Sequence, residues 1–139
     1  MIKQIFVNLP VKDLQKSIKF FTHLGFTFNK QFTDENATCM IIGENIFAML
    51  IVEKYFKTFT KKPIADAKKS TETILALAVE NKEKVNEIVH KAKTAGAVIP
   101  ELKDYGWMSQ WGFHDLDDHQ WEIFHMDESK MPKEMKDKK

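Results

Sequence analysis

"TILALAVENKEKVNEIVHKAKTAGAVI" (73–99) decides the fold, because it repeats a pattern that the chain has already used once. Leu75, Leu77 and Val79 alternate along a strand, and Asn81 then stands where a helix N-cap belongs. Val85, Ile88, Val89 and Ala92 recur at helical spacing, and Gly96 supplies the stop. Earlier, "KQIFVNLPV" (3–11) alternates in the same way, with Ile5, Val7 and Leu9 on one face and Gln4, Phe6 and Asn8 on the other. "KDLQKSIKFFTHLG" (12–25) comes next, with Asp13 as cap, Leu14, Ile18, Phe21 and Leu24 as stripe, and Gly25 as stop. Matching Val11 to Val79 aligns strands, caps and stripes, with a few residues inserted before the second glycine. The chain therefore contains an internal duplication of strand plus helix.

The stretches after the two glycines are also alike. After Gly25 the pattern predicts strands at 26–32, 37–43 and 45–52, with a polar turn at 33–36; after Gly96 it predicts strands at 97–102, 107–114 and 119–126, with a loop at 103–106 and a turn at 115–118. Each half reads β-α-β-β-β, giving modules at 2–52 and 73–126 of one α+β domain spanning 1–139. The linker 53–72 has Tyr55, Phe56 and Phe59 at helical spacing and is expected to form a short helix that crosses the surface. The Lys-rich stretch 127–139 reads as a disordered tail.

Composition narrows the function classes. The 139 residues, 43% of them hydrophobic, suffice for a core without staples, and a single cysteine, Cys39, excludes an internal disulfide framework. With no apolar leader or spanning run, the cytoplasm is the expected compartment and a membrane is not an expected partner. A net charge of +1 without a basic block argues against nucleic acid. All 21 basic residues are Lys, so an anionic ligand must be held by ammonium groups, amides or backbone N–H rather than by a guanidinium fork.

Several side chains invite chemistry. In "HQWEIFHM" (119–126) alternation sets Trp121, Ile123 and His125 on one face and Gln120, Glu122 and Phe124 on the other. A carboxylate among aromatics loses hydration unless a cation or hydrogen-bond donors meet it, so Glu122 is a ligand, a general acid or base, or a hydrogen-bonded orienting group. Asn8, Gln120 and a Lys are the donors expected for it. Cys39, in an apolar strand without a basic neighbour, reads as a structural thiol. His23 and His90 fall on or near polar helix sides; His114 and His119 flank "DLDD" (115–118), whose Asp115 and Asp117 are expected to cap their own backbone rather than hold a cation. Trp107, Ser109, Trp111 and Phe113 share one face of their strand, opposite Met108, Gln110 and Gly112, and suit either a stacking wall for a flat ligand or a core layer.

The two β-α-β-β-β modules, "VKDLQKSIKFFTHLGF" (11–26) and "DLDDHQWEIF" (115–124) together resemble the vicinal oxygen chelate superfamily, also called the glyoxalase/bleomycin resistance/dioxygenase family, on its lactoylglutathione lyase-like branch. In the closing turn Leu116 and Asp118 stand where the family has Pro and Gly. The resemblance implies a curled mixed sheet of two half-barrels around a cleft, with helices on the convex face. It implies a ligand site lined by Phe6, Asn8, Met49, Ile74, Trp107, Gln110, Trp111, Gln120 and Phe124, with Glu122 as the one catalytic candidate. The family's four metal-ligand positions fall on Phe6, Ile74, Ala48 or Met49 according to register, and Glu122. Three of the four lack a ligand side chain. The expectation is a protein without a metal cofactor that binds a small, partly aromatic or apolar molecule for resistance, sequestration or sensing. The alternative is a glyoxalase I-like lyase with a divalent metal such as Zn or Ni. A homodimer is expected to cover the exposed edge at 26–32.

Overall fold

The structure, a computed structural model, describes residues 1–136; 137–139, the end of the expected tail, lie outside the described residues. Two compact units follow one another, Met1–Ser70 and a second from Thr71 onward. The first runs β1 (Ile5–Val11), α1 (Leu14–His23), β2 (Thr27–Asn29), β3 (Ala37–Gly43), β4 (Ile46–Val52) and a single-turn α2 (Glu53–Phe56). The second runs β5 (Ile74–Ala78), α3 (Lys82–Thr94), β6 (Lys103–Asp104), β7 (Met108–His114), β8 (Gln120–Met126) and a short α4 (Lys133–Lys136). Their sheets have matching orders, β1-β4-β3-β2 and β5-β8-β7-β6, each with one parallel pair followed by antiparallel ones. The fold is α+β with two βαβββ modules, each building a four-stranded mixed sheet, as the repeat requires.

Local chemistry sets the helix ends. Asp13 accepts from the backbone N–H of Lys16 at 3.1 Å and Asn81 from that of Lys84 at 2.8 Å, each satisfying one orphan donor of a first helical turn. Gly25 and Gly96 follow the helices at φ 104° and 103°, backbone that a side chain would strain. One face of each sheet packs on its helix. In the first unit Leu9, Val11, Met40, Ala48 and Leu50 are buried together with Leu14, Phe20 and Phe21 of α1; in the second, Phe113, Trp121 and Ile123 are buried with Val85, Val89 and Ala92 of α3. Burying each large side chain of this kind stabilises by about 1.5–3 kcal/mol.

Some elements differ from the sequence reading. In α1 the buried face includes Ser17 and Phe20, and Ile18 is only half-buried; Phe20 and Phe21 meet edge to face at 4.9 Å. The strand expected at 26–32 stops at Asn29, whose side chain accepts from Gln31 N–H at 3.0 Å and opens a 3-10 turn, Lys30–Phe32. The edge left for a second chain is therefore three residues long. The stretch 97–102 makes a single bridge, Val98 to His114, before Pro100, which has no N–H to give; Lys103 and Asp104 pair with Gln110 and Ser109 instead. The tail forms a 3-10 turn at Glu128–Lys130, capped by Asp127, and then α4, where disorder was expected. Among the described residues no helix is long and apolar enough to cross a membrane.

The closing turn is built around Asp115. Its Oδ1 accepts from the backbone N–H groups of Asp117 at 2.9 Å and His119 at 3.0 Å, and its Oδ2 accepts from the indole N–H of buried Trp121 at 2.9 Å. Asp118 takes φ 64°, the only positive φ of a non-glycine residue among those described. Burial pushes the Asp115 carboxyl above its ordinary value of 3.8, with neighbouring His119 and the three N–H donors pulling it back. Asp115→Ala should cost about 2–4 kcal/mol in urea unfolding, since it strands a buried indole N–H and two turn amides. A raised folded-state pKa means that the carboxyl's contribution is fully present below pH 3.8 and is lost as pH rises through the folded value. The stability of the wild type relative to Asp115→Asn should accordingly fall between acid and neutral pH, measured by paired urea melts.

Candidate functional site

The sheet faces turned away from the helices carry the predicted site residues. Parallel pairing sets Phe6 beside Phe47 and Asn8 beside Met49 in the first unit, and Ile74 beside Gln120 and Ala76 beside Glu122 in the second. In the duplicated numbering Asn8 corresponds to Ala76, so Met49 is the counterpart of Glu122. Ala48 is fully buried on the helix side, which resolves the two registers in favour of Met49.

In the first unit the open face is apolar. Phe6, 46% exposed, stacks on Phe47 with ring centroids 4.7 Å apart and planes 13° from parallel. Cys39 is buried, and that burial raises its thiol pKa, as befits a structural thiol.

In the second unit the same face holds Glu122 and its partner. The donor is Gln110, whose Nε2 gives a 2.7 Å hydrogen bond to Glu122 Oε2. This replaces the expectation that Asn8, Gln120 or a Lys would meet the carboxylate. Gln110 reaches it because β7 pairs Gln110 with Phe124 and Gly112 with Glu122, so amide and carboxylate are diagonal neighbours on one face. Gly112 stands directly opposite Glu122; a Cβ there would collide with the backbone carbonyl of Trp121 and lie 3.2 Å from the Cα of Glu122. Among the described residues Glu122 Oε1 takes no hydrogen bond and remains open to a ligand. Gln120 accepts a long bond from Thr71 Oγ1 at 3.4 Å, and Phe124 and exposed Ile74 complete the apolar surround.

The two predicted tryptophans differ in place. Trp111 pairs with Ile123, donates its indole N–H to the Pro100 carbonyl at 2.8 Å and meets His90 of α3 edge to face. Trp107 shares its parity. Trp107 lines a different cavity, with Asn81, Ser109 and His125, whereas half-buried Trp111 lines a cavity of about 120 Å3 together with Gln110, Gly112, Gln120, Glu122, Glu101 and Lys103.

The four metal positions implied by the resemblance are thus Phe6, Met49, Ile74 and Glu122. Two hydrocarbons, a thioether and one carboxylate already holding an amide do not form a donor set for a hard or borderline divalent ion. No three His, Cys, Asp or Glu side chains among the described residues converge as metal ligands. Asp115 and Asp117 do not gather a cation site, because Asp115 spends its oxygens on N–H groups.

Comparison with known proteins agrees with this fold. Residues 3–43 match a family model described as bleomycin resistance protein-like N-terminal. A hypothetical protein, SA1046, from Staphylococcus aureus is similar at 28% identity, covering 90% of this chain and 94% of that one with a TM-score of 0.77. A glyoxalase/bleomycin resistance protein/dioxygenase family enzyme from Burkholderia phytofirmans shares the fold at 15% identity, with coverage of 87% and 96% and a TM-score of 0.74. The fosfomycin resistance protein FosX of Listeria monocytogenes does so at 18% identity, with coverage of 90% and 94% and a TM-score of 0.67. No curated protein matches by sequence. The chain thus shares its fold with proteins described as glyoxalase/bleomycin resistance/dioxygenase, and its first module is similar to the bleomycin resistance protein-like N-terminal model.

Gly112→Ala should lower stability by about 1–3 kcal/mol, because the added methyl has backbone in front of it and no flexible side chain to displace. The variant should also shift the Gln110 side-chain amide signals in a 15N NMR spectrum, as β7 moves off β8.

Proposed function

We propose that the protein binds a small, partly aromatic or apolar molecule against the open faces of its sheets, without a divalent metal, in the service of sequestration, resistance or sensing. The observation that carries this reading is Glu122. It is held by Gln110 with one oxygen left free, beside Ile74 and Phe124, where a metal-dependent relative would need three more N or O donors. Such a carboxylate orients a ligand N–H or O–H while the apolar surround takes up the ligand body. The half-exposed Phe6 and Phe47 offer a second flat surface for an aromatic ring. The resistance activities named for structural neighbours suggest the class of ligand, an organic toxin or antibiotic. A lyase of the metal-dependent kind would lack here the donors for the ion that polarises its substrate; Glu101 and Lys103 are the titratable neighbours that line the cavity with Glu122.

Elemental analysis after purification without chelator should find far less than one divalent ion per chain. A thermal-shift screen of aromatic and apolar metabolites should yield a stabilising compound whose effect survives EDTA and weakens on Glu122→Gln and Gln110→Ala. One tightly held ion per chain, lost on Glu122→Gln, would reverse the reading in favour of the lyase.

A further inference from the structure

The cavity of about 120 Å3 that Glu122 lines narrows the class of ligand. Cavities that enclose a drug-sized molecule run from about 300 Å3 upward, so this one takes a single ring and its substituent, one end of a ligand rather than the whole. Its lining is rich in acceptors. Gln110 holds Glu122 Oε2, and since no buried side-chain N or O atom among the described residues lacks a partner, the unbonded Oε1 keeps contact with solvent. Gln110 gives an amide N–H to that carboxylate, so its own side-chain carbonyl is a further acceptor, and Glu101 adds a second carboxylate. The Lys103 ammonium and the Gln120 amide nitrogen are the side-chain donors left in the lining, and none of Glu101, Lys103 and Glu122 forms an ion pair among the described residues. Two carboxylates and one ammonium give this lining a net negative charge.

Trp111 supplies a flat wall. Its indole N–H donates to the Pro100 carbonyl at 2.8 Å, and His90 meets the ring at 88° with centroids 5.5 Å apart, so the ring is held in place and has no donor left for a ligand. What it offers the cavity is ring carbon, and an indole attracts a cation more strongly than any other side-chain ring does. A neutral apolar group beside Glu122 would displace water from Oε1 and put nothing in its place, whereas a group that brings N–H donors and a positive charge replaces that water with a charge-assisted hydrogen bond.

We propose that the Glu122 cavity takes the flat, singly charged cationic end of an organic ligand, an aromatic amidine or guanidine, whose N–H groups donate to Glu122 Oε1 and whose plane lies against Trp111. This rests on the reading of the Glu122 face as a metal-free binding site and adds to it the charge of what is bound.

Benzamidine, benzamide and benzoate share a shape and differ in charge, being positive, neutral and negative. Each is titrated to millimolar concentration into the full chain in the presence of EDTA and followed by 15N NMR. Benzamidine should shift the Gln110 side-chain amide and the Trp111 indole signal, while the Trp107 indole, in the other cavity, stays in place. It should bind roughly tenfold or more tightly than benzamide, as expected for a hydrogen bond to a charged group, with benzoate weakest. Glu122→Gln should bring benzamidine down to the level of benzamide. Glu101 and Lys103 are exposed, so Glu101→Gln should weaken benzamidine only about two- to fivefold and Lys103→Gln should strengthen it by a similar factor. These surface variants and the three-probe comparison on the wild type carry the test even where Glu122→Gln folds poorly. Benzamide binding as tightly as benzamidine, benzamidine binding that survives Glu122→Gln in a folded variant, or no shift from any probe would each overturn the proposal. The first of these would leave metal-free binding at this face standing, whereas binding seen only when a divalent ion replaces EDTA would overturn both.

Discussion

The second unit is organised by what one buried carboxylate accepts. Asp115 takes two backbone N–H groups from its own turn on one oxygen and the Trp121 indole N–H on the other. The first two bonds shape the turn that lets Asp118 adopt left-handed backbone, and the third ties that turn to the largest side chain in the core. A turn so fixed admits one alignment of the strands it joins. Slippage by a residue would carry Trp121 and Ile123 out of the core and bring Glu122 into it. The meeting of Gln110 with Glu122, one on each strand of the hairpin, is a consequence of that alignment.

How much of this is readable in sequence depends on how local each cause is. Caps, stops and the period-2 and helical stripes are settled within about a dozen residues, so the duplication, its strand-plus-helix units and the buried face of α3 are legible. Short elements are not, because their existence depends on a partner far along the chain. Lys103 and Asp104 become a strand only because β7 offers an edge, whereas 97–102, richer in β-formers, is interrupted by Pro100. The candidate site divides along the same line. Alternation sets Glu122, Gln120 and Phe124 together on one face, and the structure keeps them there. It cannot say which face of β7 joins them, and so Gln110 is grouped with Trp111, which lines the cavity of Glu122, and also with Trp107, which lines another.

Duplication also bears on the question of a metal. Two copies of one module give each position on the open face a counterpart, and the pairing register identifies Met49 with Glu122 and Phe6 with Ile74. A metal centre built on such a frame draws equivalent donors from both copies. Here neither first-strand position offers one, and the last strands offer a thioether and a carboxylate. The two faces have become chemically different, with stacked rings on the first and a hydrogen-bonded amide–carboxylate pair on the second.

Strand β7 shows how one short segment serves two separate environments. Its odd-numbered residues from Ser109 to Phe113 face α3 and its even-numbered residues face away, so Gln110 and Ser109, adjacent in sequence, stand on opposite sides of the sheet. Gly112 interrupts the outward row where the backbone of β8 comes too close for any Cβ. Trp111 donates its indole N–H to Pro100, and both residues line the cavity that holds Glu122. Even-numbered and odd-numbered side chains of β7 thus answer to different neighbours. The chemistry of each face can therefore be altered through a single residue of β7 while the other keeps its partners.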